Sequence, residues 1–445
     1  GRGGGLRRGC EGQSVPRPMG PTLTVRGQLT GLKGAIVSLH DVLVMKGTIN
    51  APLLEETLRL LRYLKMRGVE PVFISNHDWT VTGPDTSKPF RTSLEEKLGP
   101  VSYYIGGQNG MPYKPRADST AHILSEKGWQ RREVLYVGNT TDDMRTATNG
   151  SLLFVNVMWH SAANPYGFQF ASPLDVARFV DCLCLGLNSW FWTLEQADLR
   201  VYALAPFTTL SPKYAQAHAY SENAKATSKH GMGDANFWGR LLAARIYFSG
   251  LVDEIDYITA YPGHSPTSNE TVISDALNIL GQSLRKSYLP DLILRHAKAV
   301  KSQTARTSGR SVGLDNQLNT IRLNQVPVRG VGGKPYKSPP ARDGKRVLVV
   351  DDICTEGNSF EAARAYLKAA GAQAVCVSWL KTINTDYRAV SHGFGPFNPY
   401  IEQSFPASIA TVDHSYSRAI SSHAAPTDLA DVYNRYFNWA WPADI

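Results

Sequence analysis

The most informative stretch of the sequence is Val347-Leu348-Val349-Val350-Asp351-Asp352-Ile353-Cys354-Thr355-Glu356-Gly357-Asn358-Ser359. Its apolar first half predicts a buried strand. Two adjacent carboxylates, Asp351 and Asp352, stand at the carboxyl end of that strand, which is the edge where open α/β sheets bind ligands. A short turn containing Gly357 then leads into a helix predicted over residues 359–370. This order of strand, acidic pair, turn and helix predicts a ligand site at a sheet edge.

The groups offered by this turn suit a phosphorylated sugar. Free backbone N–H groups at a helix start, together with the hydroxyls of Thr355 and Ser359, can bind a phosphate dianion. The carboxylates of Asp351 and Asp352 can each accept a hydrogen bond from one of two vicinal hydroxyls. The stretch therefore predicts a site for a ribose 5-phosphate.

The same stretch resembles the 5-phosphoribosyl-1-pyrophosphate (PRPP) motif of type I phosphoribosyltransferases, most of all in their competence-protein F-like branch. The resemblance implies that Asp351 and Asp352 are the catalytic pair and contact the ribose hydroxyls, and that Asp352 meets a metal ion only indirectly, through PRPP. Glu356 departs from the family pattern, which usually has a small or basic residue there. The resemblance assigns the 5-phosphate to Thr355, Glu356, Gly357, Asn358 and Ser359.

Two upstream segments fit the same family order. Tyr261-Pro262-Gly263 follows a predicted strand at the place of the family's pyrophosphate loop, and Arg306, Arg310 and Gln317 lie in a basic stretch where many members have a mobile loop. The resemblance covers about residues 240–385. It implies a pentosyltransferase that displaces pyrophosphate from C1 of PRPP, with Mg²⁺ on the pyrophosphate. The acceptor would be a nucleobase or another nitrogen-containing small metabolite.

Residues from about 33 to 158 resemble the haloacid-dehalogenase-like (HAD-like) phosphatases, but they lack three of the family's carboxylates. In the first motif, the nucleophilic Asp of the family is Ser38 and its acid/base Asp is His40. In the acidic metal motif, Asn139 replaces the first Asp, whereas Asp143 is retained. The positions of this degenerate phosphatase site are Ser38, His40, Ser75, Lys114, Asn139 and Asp143.

These replacements predict a domain without phosphatase activity. Mg²⁺ prefers carboxylate ligands, and covalent phosphoryl transfer in this family needs the Asp nucleophile. The neutral side chains of Ser38 and Asn139 supply neither. A shift of the alignment by one residue would make Asp41 the nucleophile, but it would place Leu43 at the acid position. We therefore expect a phosphatase-like domain that is retained for binding or scaffolding.

The alternation of apolar strands with helices predicts an α/β protein with two doubly wound parallel-sheet domains. The first would be a HAD-like Rossmannoid and the second a type I phosphoribosyltransferase, with a helical connecting region between them. The predicted units are a disordered basic Gly/Arg tail over 1–26, the HAD-like domain over 27–165, a helical connector over 166–240, the phosphoribosyltransferase-like domain over 241–400 and a C-terminal extension over 401–445.

Composition indicates the class of protein and its compartment. The chain has 445 residues, of which 42% are hydrophobic and 19% charged, as in ordinary globular proteins. No uninterrupted apolar run reaches the ~18 residues that a membrane-spanning helix needs. The five cysteines are odd in number and scattered, which argues against a disulfide framework. We therefore expect a protein of the reducing cytoplasm with no membrane partner.

The formal charge of +9 is concentrated in one region. Residues 285–346 carry fourteen Lys and Arg against three Asp, and this stretch ends where the PRPP-like motif begins. The position favours a small phosphorylated metabolite over nucleic acid as the partner. A non-enzymatic alternative is a sensor of PRPP or nucleotides, or an effector in a stress or phage-defence complex, because fold alone does not establish activity. The sequence leaves open a homo-oligomer or a protein complex.

Overall fold

The computed structural model describes residues 31–46, 48–185, 190–267, 271–300 and 312–445. The predicted tail over 1–26 lies outside these residues, as do Arg306 and Arg310. Helices and strands alternate along most of the described chain, which confirms the predicted α/β class.

The first sheet has six parallel strands in the order β5-β2-β1-β6-β7-β8, and β3 and β4 form a separate hairpin. These strands are β1 (Gly34–Ser38), β2 (Glu70–Ser75), β3 (Thr80–Thr82), β4 (Ser87–Pro89), β5 (Ser102–Ile105), β6 (Val134–Gly138), β7 (Leu153–Val157) and β8 (Phe168–Phe170). The accompanying helices are α1 (Ala51–Met66), α2 (Phe90–Leu98), α3 (Ala117–Lys127), α4 (Thr141–Asn149) and α5 (Pro173–Phe179).

Both faces of the first sheet are covered. Along β1, Ala35 and Val37 pack in one apolar core, whereas Ile36 packs in another core on the opposite face. The chain leaves β1 toward β2 and β5, and it later returns to β6 on the other side of β1. The carboxyl ends of β1 and β6 therefore form a topological switch point, where sheets of this kind bind ligands.

The second sheet also has six strands, in the order β12-β11-β15-β16-β10-β9. Neighbours from β12 to β10 are parallel, and β9 is antiparallel to β10 at the edge. These strands are β9 (Trp192–Glu195), β10 (Arg200–Phe207), β11 (Tyr257–Ala260), β12 (Ser287–Tyr288), β15 (Arg346–Cys354) and β16 (Gln373–Thr382). Two further antiparallel pairs are β13 (Ile293–Arg295) with β14 (Ile321–Leu323), and β17 (Tyr387–Val390) with β18 (Thr411–His414).

We call the first sheet with α1–α5 the first part of the molecule, and the elements from β9 onward the second part. The helices of the second part are α6 (His218–His230), α7 (Ala235–Phe248), α8 (Leu251–Glu254), α9 (Thr271–Leu284), α10 (Asp315–Leu318), α11 (Asn358–Ala369) and α12 (Ala425–Phe437). Within the described ranges, no helix combines the length and the apolar character that crossing a bilayer requires.

The second sheet is doubly wound as well. Along β15, Val347 and Val349 pack on one face, and Leu348 and Val350 pack on the other. The chain runs from β11 outward to β12, returns to β15 and then continues to β16 on the far side. The carboxyl ends of β11 and β15 therefore form the switch point of this sheet.

The predicted helical connector over 166–240 is wrong in part. β8 completes the first sheet, and β9 and β10 are two strands of the second sheet, so the region is helical only in part. The reason lies in residues 201–206 of β10, which are buried without a break. Such a short apolar run has no alternation that would distinguish a buried strand from a helix.

Helices of the second part join the two sheets. The side chains of Gln282 and Ser283 at the end of α9 accept hydrogen bonds from the backbone N–H groups of Gly167 and Phe168 at the start of β8, at 3.0 Å and 3.2 Å. Nearby, Arg132 of the first part donates to Asp253 of the second. One apolar core contains residues of both sheets and of α7, α9 and α12. The two sheets therefore share a core.

The predicted C-terminal extension over 401–445 belongs to this core. β18 pairs with β17, and α12 buries Leu429, Val432 and Tyr436. The backbone carbonyl of Ile445 accepts a hydrogen bond from Arg59 of α1 at 3.0 Å, which links the extension to the first part.

Candidate functional site

A cleft opens at the carboxyl edge of the second sheet, where β15 ends. Its volume is about 330 Å³. Asp351 and residues 353–360 line one side, and Val312, Gly313, Gln317 and Arg388 complete the lining. The cleft therefore gathers Asp351 with all of residues 355–359, which we call the cleft loop. That these residues bind PRPP stays a prediction.

Gly357 gives the cleft loop its shape. Its φ of +86° lies in the left-handed region, and a Cβ at this position would overlap the ring of Tyr387. The start of α11, which follows, has no side-chain cap. Since the first N–H groups of a helix have no intrahelical partner, those of Asn358, Ser359 and Phe360 can reach a ligand in the cleft.

A buried carboxylate fixes the start of α11 against β17. The Glu361 side chain is 1% exposed. It accepts hydrogen bonds from the Tyr387 hydroxyl at 2.6 Å, the Val390 N–H at 2.8 Å and the Arg364 guanidinium at 2.5 Å. Burial raises the pKa of the Tyr387 phenol, so this hydroxyl remains a donor. The cleft loop is thus held in place before any ligand arrives.

Lys381 places a positive charge behind the cleft loop. This fully buried ammonium donates to the carbonyls of Thr355 at 2.7 Å, Thr385 at 2.6 Å and Thr382 at 3.3 Å. It also lies over the ring of Trp192, 5.1 Å from the centroid. Burial lowers the pKa of the Lys381 ammonium. In the described part of the chain, no carboxylate forms an ion pair with it within 4.0 Å.

The two acidic residues of the motif face different surroundings. Asp351 lines the cleft, and its Oδ1 accepts the backbone N–H of Asp352 at 2.9 Å. Asp352 is not among the lining residues, because its Oδ2 accepts from the Ser228 hydroxyl of α6 at 2.7 Å. Its Oδ1 accepts the backbone N–H of Ile353 at 2.7 Å. The structure therefore separates two carboxylates that look equivalent in sequence.

The predicted pyrophosphate loop lies beside the cleft rather than in its lining. Tyr261 is buried, and its hydroxyl donates to Gln317 Oε1 at 2.7 Å. Arg295 donates to the carbonyl of Gly263 at 2.8 Å and to that of Pro262 at 3.3 Å, and it also donates to Gln317 at 2.9 Å. Burial raises the pKa of the Tyr261 phenol. Gln317, which lines the cleft, therefore connects the cleft to this loop.

In the first sheet, residues at and beside the phosphatase-like motif positions bond to one another. Lys114 Nζ lies 2.7 Å from Asp143 Oδ1 and 3.1 Å from Ser38 Oγ. The same Asp143 oxygen accepts from the Tyr136 hydroxyl at 2.9 Å, and Oδ2 accepts the Asn139 N–H at 3.1 Å. We call Ser38, Lys114, Tyr136 and Asp143 the Lys114 cluster. It lies at the switch point of the first sheet, and its members form hydrogen bonds with one another.

The Lys114 ammonium balances the charge of the Asp143 carboxylate. Burial by itself would raise the pKa of the Asp143 carboxyl, but the Lys114 ammonium and the hydrogen bonds from Lys114 and Ser38 outweigh burial and hold it below its usual value. The Lys114 and Asp143 side chains are only 7% and 0% exposed. Among the described residues there is no group of three or more His, Cys, Asp or Glu that could hold a metal ion.

The three other predicted positions of the phosphatase-like site are not members of this cluster, and their side chains make structural contacts. These positions are Asn139, Ser75 and His40. The Asn139 amide donates to the carbonyls of Val157 at 2.8 Å and Ser161 at 2.9 Å. Ser75 Oγ accepts the N–H of His77 at 3.1 Å. His40 stacks on Trp79, with the ring centroids 5.9 Å apart. These contacts hold backbone and loops in place.

The sequence interpretation missed Arg388, Lys381, Ser228 and Arg295, and it placed Gln317 only within a basic stretch. Each comes from a segment outside the PRPP-like motif, and none lies in a recognisable motif of its own. The one available signal was Lys381, a charged residue inside the apolar strand β16, where a buried lysine requires nearby acceptors.

Comparison with known proteins gives a partial likeness only. No family model matches the chain, and no curated protein matches it. Among solved structures, a HAD-superfamily hydrolase from Ehrlichia chaffeensis is 13% identical, with a TM-score of 0.25, over 34% of this chain and 98% of its own. A haloacid-dehalogenase-like hydrolase from Bacteroides fragilis is 17% identical, with a TM-score of 0.24, over 32% of this chain and 97% of its own.

A third similar structure is a candidate phosphoglycolate phosphatase from Lactobacillus delbrueckii. It is 22% identical over 28% of this chain, with a TM-score of 0.22. The chain spans about half the length of that protein, 51%. These three structures cover between 28% and 34% of this chain.

Proposed function

We propose that the cleft of the second sheet binds PRPP and transfers its phosphoribosyl group to a nitrogen atom of a nucleobase or another small metabolite. The observation that supports this proposal is the convergence of Asp351, the cleft loop and the start of α11 in one cleft at a switch point. This arrangement places an acceptor for ribose hydroxyls next to N–H groups that can donate hydrogen bonds to a phosphate. A ribose 5-phosphate requires both.

The proposed chemistry divides the ligand between these groups. The N–H groups of the cleft loop would bind the 5-phosphate, and Asp351 would accept a ribose hydroxyl. The acceptor nitrogen then forms a bond to C1 while the bond from C1 to the pyrophosphate oxygen breaks, and the electron pair leaves with pyrophosphate. The acceptor's proton goes to solvent. Because positive charge develops on the ribose, the Asp351 carboxylate also stabilises the transition state.

Mg²⁺ would arrive with the substrate rather than reside in the protein. The described residues contain no group of three or more His, Cys, Asp or Glu that could hold a metal ion, so these residues by themselves offer no complete Mg²⁺ site. Pyrophosphate oxygens would supply most of its ligands, whereas Asp352 lies behind the cleft, where its two oxygens accept from Ser228 and Ile353. Mg²⁺ bound in this way would neutralise charge on the leaving group.

The test is to incubate the full-length protein with PRPP, Mg²⁺ and a panel of nitrogen bases, and to measure released pyrophosphate. Release that depends on one base supports the transferase. PRPP binding without release supports the sensor that the sequence left as the alternative. The double variant Asp351→Asn with Asp352→Asn should abolish PRPP binding, whereas Asp198→Asn at an exposed site should leave it unchanged. Unchanged PRPP affinity in the double variant would contradict the site assignment.

We further propose that the first domain does not hydrolyse phosphate esters. Ser38 stands in place of the nucleophile, and the Lys114 ammonium donates hydrogen bonds to both Asp143 and Ser38. The full-length protein should release no p-nitrophenol from p-nitrophenyl phosphate with Mg²⁺ above the background rate. Turnover that disappears in the Ser38→Ala variant would show that this proposal is wrong.

A further inference from the structure

Arg388 reaches the cleft from β17, opposite the start of α11. Its backbone N–H donates to the carbonyl of Glu356 at 2.9 Å, which ties β17 to the cleft loop. Its side chain lines the cleft and is 51% exposed. The strand therefore fixes the base of this side chain beside the loop, while the guanidinium remains accessible to a ligand.

The guanidinium of Arg388 lies between two carboxylates without a close bond to either. Nη2 is 3.8 Å from Glu356 Oε1, and Nε is 3.8 Å from Asp413 Oδ1. Both distances exceed those of hydrogen bonds. The Glu356 and Asp413 side chains are 28% and 63% exposed, and ion pairs so exposed to water contribute little. A stronger anionic partner in the cleft could therefore take the guanidinium from them.

The charges of the cleft residues indicate that a phosphate group is the anionic partner of Arg388. Among the described lining residues, Arg388 is the one cation, whereas Asp351 and Glu356 are anions. A phosphate bound at the start of α11 would therefore lie close to the Glu356 carboxylate and be repelled by it. A guanidinium can bind phosphate oxygens through two parallel hydrogen bonds, which an exposed carboxylate at 3.8 Å does not receive here.

We propose that Arg388 binds the phosphate group of the ligand, and that Glu356 is its resting partner, which competes with that phosphate. The inference rests on the proposed function, since it assumes a phosphorylated sugar in the cleft. It explains a residue that departs from the family pattern, because Glu356 weakens binding of the phosphate that the cleft loop otherwise favours. Arg388 and Glu356 then set the affinity of the cleft for phosphate together.

The experiment measures the affinity of the full-length protein for ribose 5-phosphate by isothermal titration calorimetry. Arg388→Gln should weaken binding by about tenfold or more, because a charge-assisted bond to phosphate is lost. Glu356→Gln should strengthen binding by about threefold, because a competing exposed carboxylate is removed. Lys368→Gln is the matched control, since Lys368 pairs with Asp198 at the same 3.8 Å but lies outside the cleft lining. Its affinity should equal that of the wild type.

The outcomes separate this inference from the proposed function. If the wild-type protein does not bind ribose 5-phosphate, the proposed function fails and this inference fails with it. If the wild type binds and Arg388→Gln binds equally well, only the role of Arg388 is overturned. Should Arg388→Gln not fold, Glu356→Gln decides the matter, because unchanged or weaker binding in that variant would contradict the competition.

Discussion

The two sheets present polar side chains at equivalent edges but in opposite states. At the first edge, Lys114, Asp143 and Ser38 bond to one another, and Lys114 and Asp143 are 7% and 0% exposed. At the second edge, Asp351 and the cleft loop face a cleft of about 330 Å³. A buried group whose bonds are already made affects the stability of the fold, whereas a group that faces a cleft can affect a ligand. Substitutions at the two edges should therefore change different quantities.

The largest change is expected from Lys114→Met. This substitution leaves the buried Asp143 carboxylate without its ion-pair partner, so the free energy of unfolding should fall by about 3–5 kcal/mol. Urea denaturation followed by circular dichroism measures the loss. The affinity for ribose 5-phosphate in the surviving folded fraction should not change, because the Lys114 cluster lies on the other sheet.

Lys88→Met provides the control for this loss. Lys88 also pairs with a carboxylate, Glu96, but the two side chains are 39% and 54% exposed. Its removal should lower the free energy of unfolding by about 1 kcal/mol at most. Equal losses in the two variants would show that the Lys114 cluster does not stabilise the first sheet through its buried charge.

Gly357→Ala should disturb the other edge. The new methyl group would be strained at a φ of +86° and would overlap Tyr387, so we expect a loss of about 1–3 kcal/mol in the free energy of unfolding. Displacement of the cleft loop should also abolish measurable binding of ribose 5-phosphate. Gly344→Ala is the matched control, because Gly344 has a φ of +75° with open space around it. It should lose stability through backbone strain but retain the wild-type affinity.

Acid should weaken the fold through carboxylates whose pKa values are lowered. Burial by itself would raise the pKa values of Asp143 and Asp253, but the hydrogen bonds and charges of Lys114 and Arg132 hold both below their usual range. The unfolded chain therefore binds these protons first as the pH falls, so stability is fully present above about pH 4, the pKa of an unperturbed carboxyl, and declines below it.

The measurement is the free energy of unfolding by urea at pH values from about 7 to about 3, an interval that includes the pKa of an unperturbed carboxyl group. The decline should be less steep in Asp143→Asn, which lacks one of the titrating groups. A wild-type profile that is flat over this interval would contradict the assigned ionisation of these carboxylates.

Features that depend on neighbouring residues could be predicted from the sequence. The strand at 347–350, the turn at Gly357 and the lining by Asp351 follow from a short contiguous stretch, because strand, turn and helix start are local patterns. The ion pair of Lys114 and Asp143 could not be predicted in this way. Both residues were assigned to motifs of the family, but the orientation of each side chain, and therefore its partner, depends on the packed core around them.

Features that depend on distant segments were missed for a physical reason. Lys381 and Arg388 contact the cleft loop only because β16 and β17 return beside it, and register between strands is decided by packing rather than by local propensity. The same holds for β10, whose unbroken apolar run was assigned to the connector. Asp352 looked equivalent to Asp351, and only its bond to Ser228 of α6 separates them.

The smallest effect is expected from Ser228→Ala, which tests that separation. Ser228 is buried two residues before the end of α6, and its hydroxyl donates to Asp352 at 2.7 Å. Because Asp352 is only partly buried, water can replace part of this bond, and the free energy of unfolding should fall by about 1 kcal/mol.

Ser125→Ala is the control, since Ser125 stands equally close to the end of α3 but is exposed, and its unfolding free energy should be unchanged. Affinity for ribose 5-phosphate should fall only slightly in Ser228→Ala, because Asp352 lies behind the cleft and Asp351 lines it. A loss of affinity as large as that expected of the double variant Asp351→Asn with Asp352→Asn would mean that Asp352 turns toward the ligand, and that both carboxylates of the motif face the cleft.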